Sequence, residues 1–154
     1  MMFAVLRIRG IQKINGDVAA TLRMMNLHAS NNCVLLPEND VMKGMIKKTK
    51  DRITWGEIDK ETLSAMLKKR LRSIGSNDKV DEKKLKEITK FDSFDSFAEA
   101  IIGGKADIHK NDLLKPTLRL TPPSKGFKSV VLTYPKGDLG YRGKEINKLI
   151  VRMI

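Results

Sequence analysis

Apolar blocks alternate with amphipathic blocks along the first sixty residues. Residues 3–8 and 33–36 form short, largely apolar runs, which are typical of buried strands, and residues 52–55, before Gly56, are predicted as a third strand. Two segments with helical spacing of apolar positions lie between these runs, and each follows an acid suited to begin a helix, Asp17 or Asp40. The resulting order β-α-β-α-β predicts an α+β core, a ferredoxin-like fold with a split β-α-β unit.

Helical periodicity continues beyond this core. Four further helices are predicted from apolar residues at three- and four-residue spacing, at 63–74, 85–88, 94–102 and 146–153. Residues 117–120 and 129–134 are candidate extended segments. The complete prediction is therefore an α+β core with additional helices and a C-terminal extension.

These patterns divide the chain into three segments. We expect a core domain at residues 1–58, a helical extension at 59–110, and a basic C-terminal extension at 111–154 whose terminal helix packs back on the core. Residues 1–60 hold ten cations and six anions, residues 61–110 eleven and nine, and the remainder nine and three. The middle segment therefore resembles a spacer, whereas the two ends resemble binding surfaces.

The composition restricts the class of partner. Lys and Arg number 30 against 18 Asp and Glu, a formal net charge of +12, which favours nucleic acid or an anionic membrane surface. No apolar run approaches the roughly 20 residues that span a bilayer, and the first run is too short for a signal peptide. We therefore expect a soluble, cytoplasmic protein with no membrane partner.

Residues 113–137 contain five cations and no acid, and the cations are interrupted by prolines and by Gly126. Cations on such a restrained segment need an anionic partner, and a polyphosphate chain is the usual one. The candidate RNA contacts in this segment are Arg119, Lys125, Gly126 and Lys128. Phe127, between two of these lysines, either stacks on a base or plugs the protein's own core, and the second interpretation is favoured.

Further candidate contacts lie in the core. On a helix, Lys43, Lys47 and Lys50 share one face, where their ammonium groups can meet successive phosphates. Lys48, Gly44 and Met45 belong to the same block, and Gly44 either admits an RNA backbone or only relieves a helix crossing.

Arg7 and Arg9 are two residues apart, so a continuing strand would present both on one face, with Lys13 nearby in the following loop. This arrangement extends the predicted RNA surface across the sheet. Alternatively, these cations protect a sheet edge from pairing with another chain.

The glycine-rich turn at residues 137–143 is the one candidate nucleotide site. It precedes the last helix, but it lacks the Gly-Lys-Ser/Thr ending of a P-loop and a later acid for a ribose. RNA contact through Tyr141 and Arg142 is the favoured interpretation.

The inventory of reactive side chains gives little support to catalysis. His28 and His109 are the only histidines, Cys33 is the only thiol, and no motif frames a nucleophile. We expect Cys33 to be a buried strand residue. We predict no catalytic residue, no metal site, no cofactor and no small-molecule substrate.

Three blocks of sequence, in order, resemble a known family. They are residues 33–59, with Lys-Gly-Met-Ile at 43–46, residues 114–123, and residues 137–143 followed by 146–150. They are similar to large-ribosomal-subunit protein thirty, whose eukaryotic counterpart is numbered seven, in its archaeal long form. The resemblance implies a structural protein of the large subunit that binds ribosomal RNA, contacts neighbouring ribosomal proteins, and supports subunit assembly and translation.

Two other functions remain as alternatives from the sequence. One is a small nucleotide-binding enzyme that uses the turn at residues 137–143. The other is a free regulatory RNA-binding protein that is not incorporated into the ribosome.

Overall fold

A five-stranded sheet lies at the centre of the computed structural model, which describes residues 2–154. The strands are β1 (Met2–Arg7), β2 (Asn32–Pro37), β3 (Ile53–Glu57), β4 (Leu118–Arg119) and β5 (Gly140–Tyr141). Their order across the sheet is β4-β2-β1-β3-β5. Strand β1 pairs antiparallel with β2 and β3, β2 pairs antiparallel with β4, and β3 pairs parallel with β5.

Six α-helices pack around this sheet among the described residues. They are α1 (Gly16–Met24), α2 (Asp40–Thr49), α3 (Lys60–Arg70), α4 (Glu82–Thr89), α5 (Phe94–Ile102) and α6 (Ile146–Val151). Single 3₁₀ turns occur at Ile108–Lys110 and Gly143–Glu145. No helix in residues 2–154 has both the length and the apolar character that a bilayer crossing requires.

The pairing of β1 confirms the predicted fold class. Strands β2 and β3 are both antiparallel to β1, so they are parallel to each other, and α2 connects them across β1. This is the split β-α-β unit of a ferredoxin-like α+β fold.

Strand β1 is buried on both faces, which explains its continuous apolar run. Ala4 and Leu6 face a cluster with the helical residues of α3, α5 and α6, while Phe3 and Val5 face a second cluster with residues of α1 and α2. Successive side chains of a strand point to opposite faces, so a strand between two helical layers is apolar at every position.

The predicted starts of α1 and α2 are two residues and one residue late, respectively. The residue preceding α1 is Asn15, whose side chain accepts a hydrogen bond of 3.2 Å from the backbone N–H of Asp17. Asp40 is the first residue of α2 and makes no cap, because the position before it is Asn39. Both acids instead lie in the first turn, where a negative charge favours the helix dipole.

The predicted extension of residues 129–134 is wrong. These residues form turns within a closed loop, which we call the 129–139 loop. The N–H of Asp138 donates to the carbonyl of Ser129 at 2.9 Å, and the N–H of Tyr134 donates to the carbonyl of Leu139 at 2.8 Å. Because the segment pairs with its own continuation, it contributes no strand to the sheet.

Asn147 connects α6 to the junction between β3 and α3. Its Oδ1 accepts from the N–H of Asp59 at 3.0 Å, while Nδ2 donates to the carbonyls of Glu57 and Lys144 and to Oδ2 of Asp59. Asn147 is buried, so each of these hydrogen bonds compensates the removal of a polar group from water.

The division of the chain into three domains, at residues 1–58, 59–110 and 111–154, stays a prediction.

Gly56 allows the C-terminal segment to approach β3. A Cβ atom at this position would overlap the carbonyl of Gly143 and would lie 3.0 Å from Cβ of Ile146. The backbone at Gly143 therefore occupies the space that the side chain of any residue other than glycine would need at position 56.

We predict that Gly56→Ala destabilises the protein by about 2–3 kcal/mol, because backbone atoms have to move to admit the methyl group. The free energy of unfolding, measured by urea denaturation, provides the test. Gly44→Ala is the matched control, since a Cβ there meets no atom within 4 Å and the helix gains about 1 kcal/mol. Equal effects of the two substitutions would contradict the close-approach argument.

Candidate nucleic-acid interface

A cleft opens where the β1–α1 loop, the end of α2 and the 129–139 loop meet. Its volume is about 410 Å³. We call it the basic cleft, and its lining includes Arg9, Lys13, Lys48, Arg52, Val131 and Thr133. The sequence analysis selected the first three of these residues, and the structure brings them together.

Arg52 holds the β1–α1 loop in place. Its Nη1 donates to the carbonyls of Gly10 and Gln12, at 3.3 and 3.2 Å, and its Nη2 donates to the carbonyl of Lys13 at 2.7 Å. The guanidinium thus contributes positive charge to the cleft while three of its five N–H groups hold the loop. Sequence reasoning missed this residue, because no local pattern shows that a loop forty residues earlier returns to it.

The lysines of α2 differ in their surroundings. Nζ of Lys43 lies 2.9 Å from Oε1 of Glu38, and this hydrogen bond raises the pKa of Lys43 and lowers that of Glu38. Lys47, Lys48 and Lys50 are exposed, and within residues 2–154 no carboxylate forms an ion pair with them. These three are therefore better placed than Lys43 to meet an external anion.

Gly44 lies on the exposed side of α2. Since no atom lies within 4 Å of a Cβ added there, the alternative that it relieves a helix crossing is wrong. Met45 is half-buried and packs against the cluster that contains Val5 and Leu22. The structure gives Met45 a packing role and leaves the outer surface at Gly44 open.

Arg7 points into the protein, which corrects its predicted place on the RNA surface. Its Nη1 donates to the carbonyls of Leu27 and His28, at 2.6 and 3.0 Å, and its Nε donates to the carbonyl of Arg9 at 2.9 Å. Burial lowers the pKa of Arg7, and nearby Arg52 lowers it further.

The alternation of side chains along a strand does not apply to Arg7 and Arg9, because β1 ends at Arg7 and the chain has left the sheet before Arg9. The edge-protection alternative is also wrong, since β1 is the central strand of the sheet.

A second cleft of about 440 Å³ lies in the C-terminal segment. We call it the C-terminal cleft, and its lining includes Lys125, Gly126, Lys128, Asp138, Arg142 and Arg152. Arg152 donates to the carbonyls of Ser124 and Gly126, which fixes the turn that carries two of the predicted contacts. Lys125 and Lys128 are exposed on this turn.

Arg142 is also turned inward, which corrects its predicted role as a phosphate contact. Its side chain is 8% exposed, pairs with the carboxylate of Asp138, and lies 5.0 Å from the centre of the Tyr134 ring. The same carboxylate accepts hydrogen bonds from the backbone N–H groups of Lys128 and Ser129. Asp138 and Arg142 therefore close the 129–139 loop.

Two other predicted contacts, Arg119 and Tyr141, lie apart from these clefts. Arg119 is exposed on β4, at the opposite edge of the sheet from β5. Tyr141 is 52% exposed, and its hydroxyl donates to Oε1 of Glu57 at 2.7 Å, a hydrogen bond that raises the pKa of Tyr141. Phe127 lines the C-terminal cleft and packs against the core, as the plug interpretation requires.

The single thiol of the sequence is buried in the protein core. Cys33 is fully buried, as expected, and burial raises the pKa of its thiol to about 12. Within residues 2–154, no group of three or more His, Cys, Asp or Glu is placed to hold a metal ion. The glycine turn at residues 137–143 contains β5 instead of following a strand, and Gly137 is packed against the carbonyl of Leu132. It therefore lacks the strand-turn-helix context of a nucleotide-binding loop.

The fold and the two clefts define a small, basic α+β protein with cation-lined surfaces, a class that includes many nucleic-acid-binding proteins. The family model described as "Ribosomal protein L30p/L7e" matches residues 3–53.

Three relatives, each named large ribosomal subunit protein uL30, extend the similarity over the full chain. The protein of Archaeoglobus fulgidus is 41% identical over 152 residues, which cover 99% of both chains. That of Thermoplasma acidophilum is 46% identical over 99% of this chain and 93% of its own, and that of Methanococcus vannielii is 42% identical over the whole of both. The chain belongs to the uL30 family.

We predict that Arg7→Ala lowers the free energy of unfolding by about 2–4 kcal/mol, because it leaves buried carbonyl oxygens without a donor. Arg9→Ala, two residues further along the chain, is the control and changes the stability by less than about 0.5 kcal/mol, because the half-buried Arg9 side chain makes no ion pair within residues 2–154. Urea denaturation of both variants gives the comparison. If the two lose equal stability, the internal role assigned to Arg7 is wrong.

Proposed function

We propose that this chain is a structural constituent of the large ribosomal subunit, where it binds ribosomal RNA, contacts neighbouring ribosomal proteins and supports subunit assembly and translation. Its place is the cytoplasm, within the ribosome. The observation that carries this function is the full-length similarity to uL30 proteins, at 41% identity over 99% of both chains in one case.

The basic cleft is the best-supported RNA contact of the core. Arg9, Lys13 and Lys48 line it, and their side chains make no ion pair within residues 2–154. Lys47 and Lys50 extend the positive surface along α2. Cations without internal partners are those that gain most from a phosphate, since no existing ion pair has to be broken.

The C-terminal cleft provides a second contact. Lys125 and Lys128 project from a turn that Arg152 holds through two carbonyls. A turn already fixed in the free protein loses little conformational entropy when it binds. Arg119, on the far edge of the sheet, belongs to neither cleft and remains a separate candidate.

The two other functions considered from the sequence lack support. The uL30 family is a family of structural ribosomal proteins, which argues against an enzyme, and the glycine turn lacks the context of a nucleotide site. No observation favours a regulatory protein outside the ribosome.

We predict that the double substitution Lys47→Glu and Lys48→Glu weakens binding to large-subunit ribosomal RNA by about tenfold or more at moderate salt. The slope of log K against log salt also decreases by about 2, because two phosphate contacts are lost. Filter binding of the full chain over a series of salt concentrations measures both quantities.

The matched control is Lys83→Glu with Lys84→Glu, which makes the same change of charge at two adjacent exposed positions of α4. We expect this control to retain most of the affinity, because α4 belongs to the nearly neutral middle segment. Equal losses of RNA affinity in the two double variants would show that only net charge matters. Unchanged affinity in a folded variant with Lys47→Glu and Lys48→Glu would show that α2 is not part of the interface.

A further inference from the structure

We propose that the basic cleft accepts a single unpaired nucleotide of RNA, with its phosphate at Arg9, Lys13 and Lys48 and its base against Val131. This inference rests on the proposed function and adds the chemical form of the ligand. It also assigns a binding role to the 129–139 loop.

The two walls of the cleft differ in chemistry. The core wall carries the cations together with Ile14, Val18 and Asp51, whereas the 129–139 loop contributes Val131, Thr133 and Leu139. A phosphate alone needs only the cationic wall. A nucleotide presents an anionic phosphate on one side and a flat, largely apolar base face on the other, so it matches both walls.

Val131 supplies the apolar contact. It is 67% exposed and lies between Val130 and Leu132, which are 41% and 51% exposed, but of these three residues Val131 is the one that lines the cleft. Leaving large apolar side chains in water is unfavourable, and covering one contributes about 1.5–3 kcal/mol when burial is complete. A base seated in the cleft covers Val131.

The loop that carries Val131 is held in place before any ligand binds. The carboxylate of Asp138 accepts from the N–H groups of Lys128 and Ser129 and pairs with Arg142. Leu139 N–H donates to the carbonyl of Leu132 at 3.2 Å, which closes the loop behind Val131. The apolar wall is therefore preformed and costs little ordering entropy on binding.

The polar groups of the cleft fix where each part of the nucleotide lies. Three of the five N–H groups of Arg52 are engaged by the β1–α1 loop, and Thr49 Oγ1 donates to the carbonyls of Met45 and Ile46. Asp51 also lines the cleft and repels a phosphate, while its carboxylate can accept from the amino group of a base. The phosphate therefore belongs near Arg9, Lys13 and Lys48, and the base edge near Asp51 and Thr133.

The size of the cleft agrees with one nucleotide. A volume of about 410 Å³ lies in the range of roughly 300–1,000 Å³ that is usual for sites of small ligands. A paired base cannot enter without leaving its helix, whereas an unpaired base in a loop or bulge presents its face and edge freely.

The test compares Val131→Glu with two controls in the same loop, Val130→Glu and Leu132→Glu. All three make the same change of charge at exposed apolar positions, but only Val131 lines the cleft. Filter binding measures the affinity of each full-length variant for deproteinised large-subunit ribosomal RNA of Archaeoglobus fulgidus. We expect Val131→Glu to weaken binding about fivefold or more relative to both controls, because a carboxylate replaces the apolar contact beside the phosphate site.

A photo-reactive side chain at position 131 identifies the class of ligand. We expect a crosslink to one unpaired nucleotide in reconstituted large subunits, and a crosslink to a ribosomal protein or to a base-paired helix would overturn the proposal. Equal affinities of the three glutamate variants would also overturn it, while the loss caused by Lys47→Glu with Lys48→Glu would still support RNA binding by α2. Absence of RNA binding by the unmodified chain would instead contradict the proposed function itself.

Discussion

The close approach of the C-terminal segment to β3 at Gly56 is the constraint on which the rest of the structure depends. The carbonyl of Gly143 occupies the space of a side chain at that position. This approach lets β5 pair with β3 in parallel and brings Asn147 within hydrogen-bonding distance of the chain between β3 and α3. Since the 129–139 loop immediately precedes β5, its location beside the β1–α1 loop follows from the same contact. Without this packing the basic cleft would have only one wall.

The arginines and lysines of this chain serve different purposes. Arg7, Arg52 and Arg152 each donate to two or more backbone carbonyls, and each holds a loop in its place. A guanidinium has five N–H donors in a fixed plane, so it can satisfy several carbonyls at once, whereas a lysine offers a single flexible ammonium group. The lysines of α2 lie at the surface, as do Lys125 and Lys128 on the turn that Arg152 holds. The cations behind the formal charge of +12 therefore include arginines that hold loops in place and surface lysines that are available to RNA.

The regular parts of the fold were predictable because their information is local. The apolar run of β1 and the helical spacing of α3 and α5 each reflect burial against neighbouring layers, and the sequence shows that burial directly. The positions of Arg7 and Arg142 were not predictable, because each depends on partners that only the folded chain brings near. Strand alternation placed Arg7 outward, but β1 ends at that residue and Leu27 and His28 lie within its reach. Likewise, Lys48 was recognised from its charge, while Val131 resembled part of a strand until its loop was seen to close on itself.

The two most basic segments of the sequence are separated by the nearly neutral residues 61–110, yet they meet at the basic cleft. Arg9 and Lys48 come from the core, whereas Val131 and Thr133 come from the C-terminal segment. A ligand held by both walls binds only when the C-terminal segment is packed against β3. By mass action such a ligand stabilises that packing as well as its own contacts. The proposed binding of a nucleotide in the basic cleft would therefore be coupled to the docking of the C-terminal segment, because both depend on the space left open at Gly56.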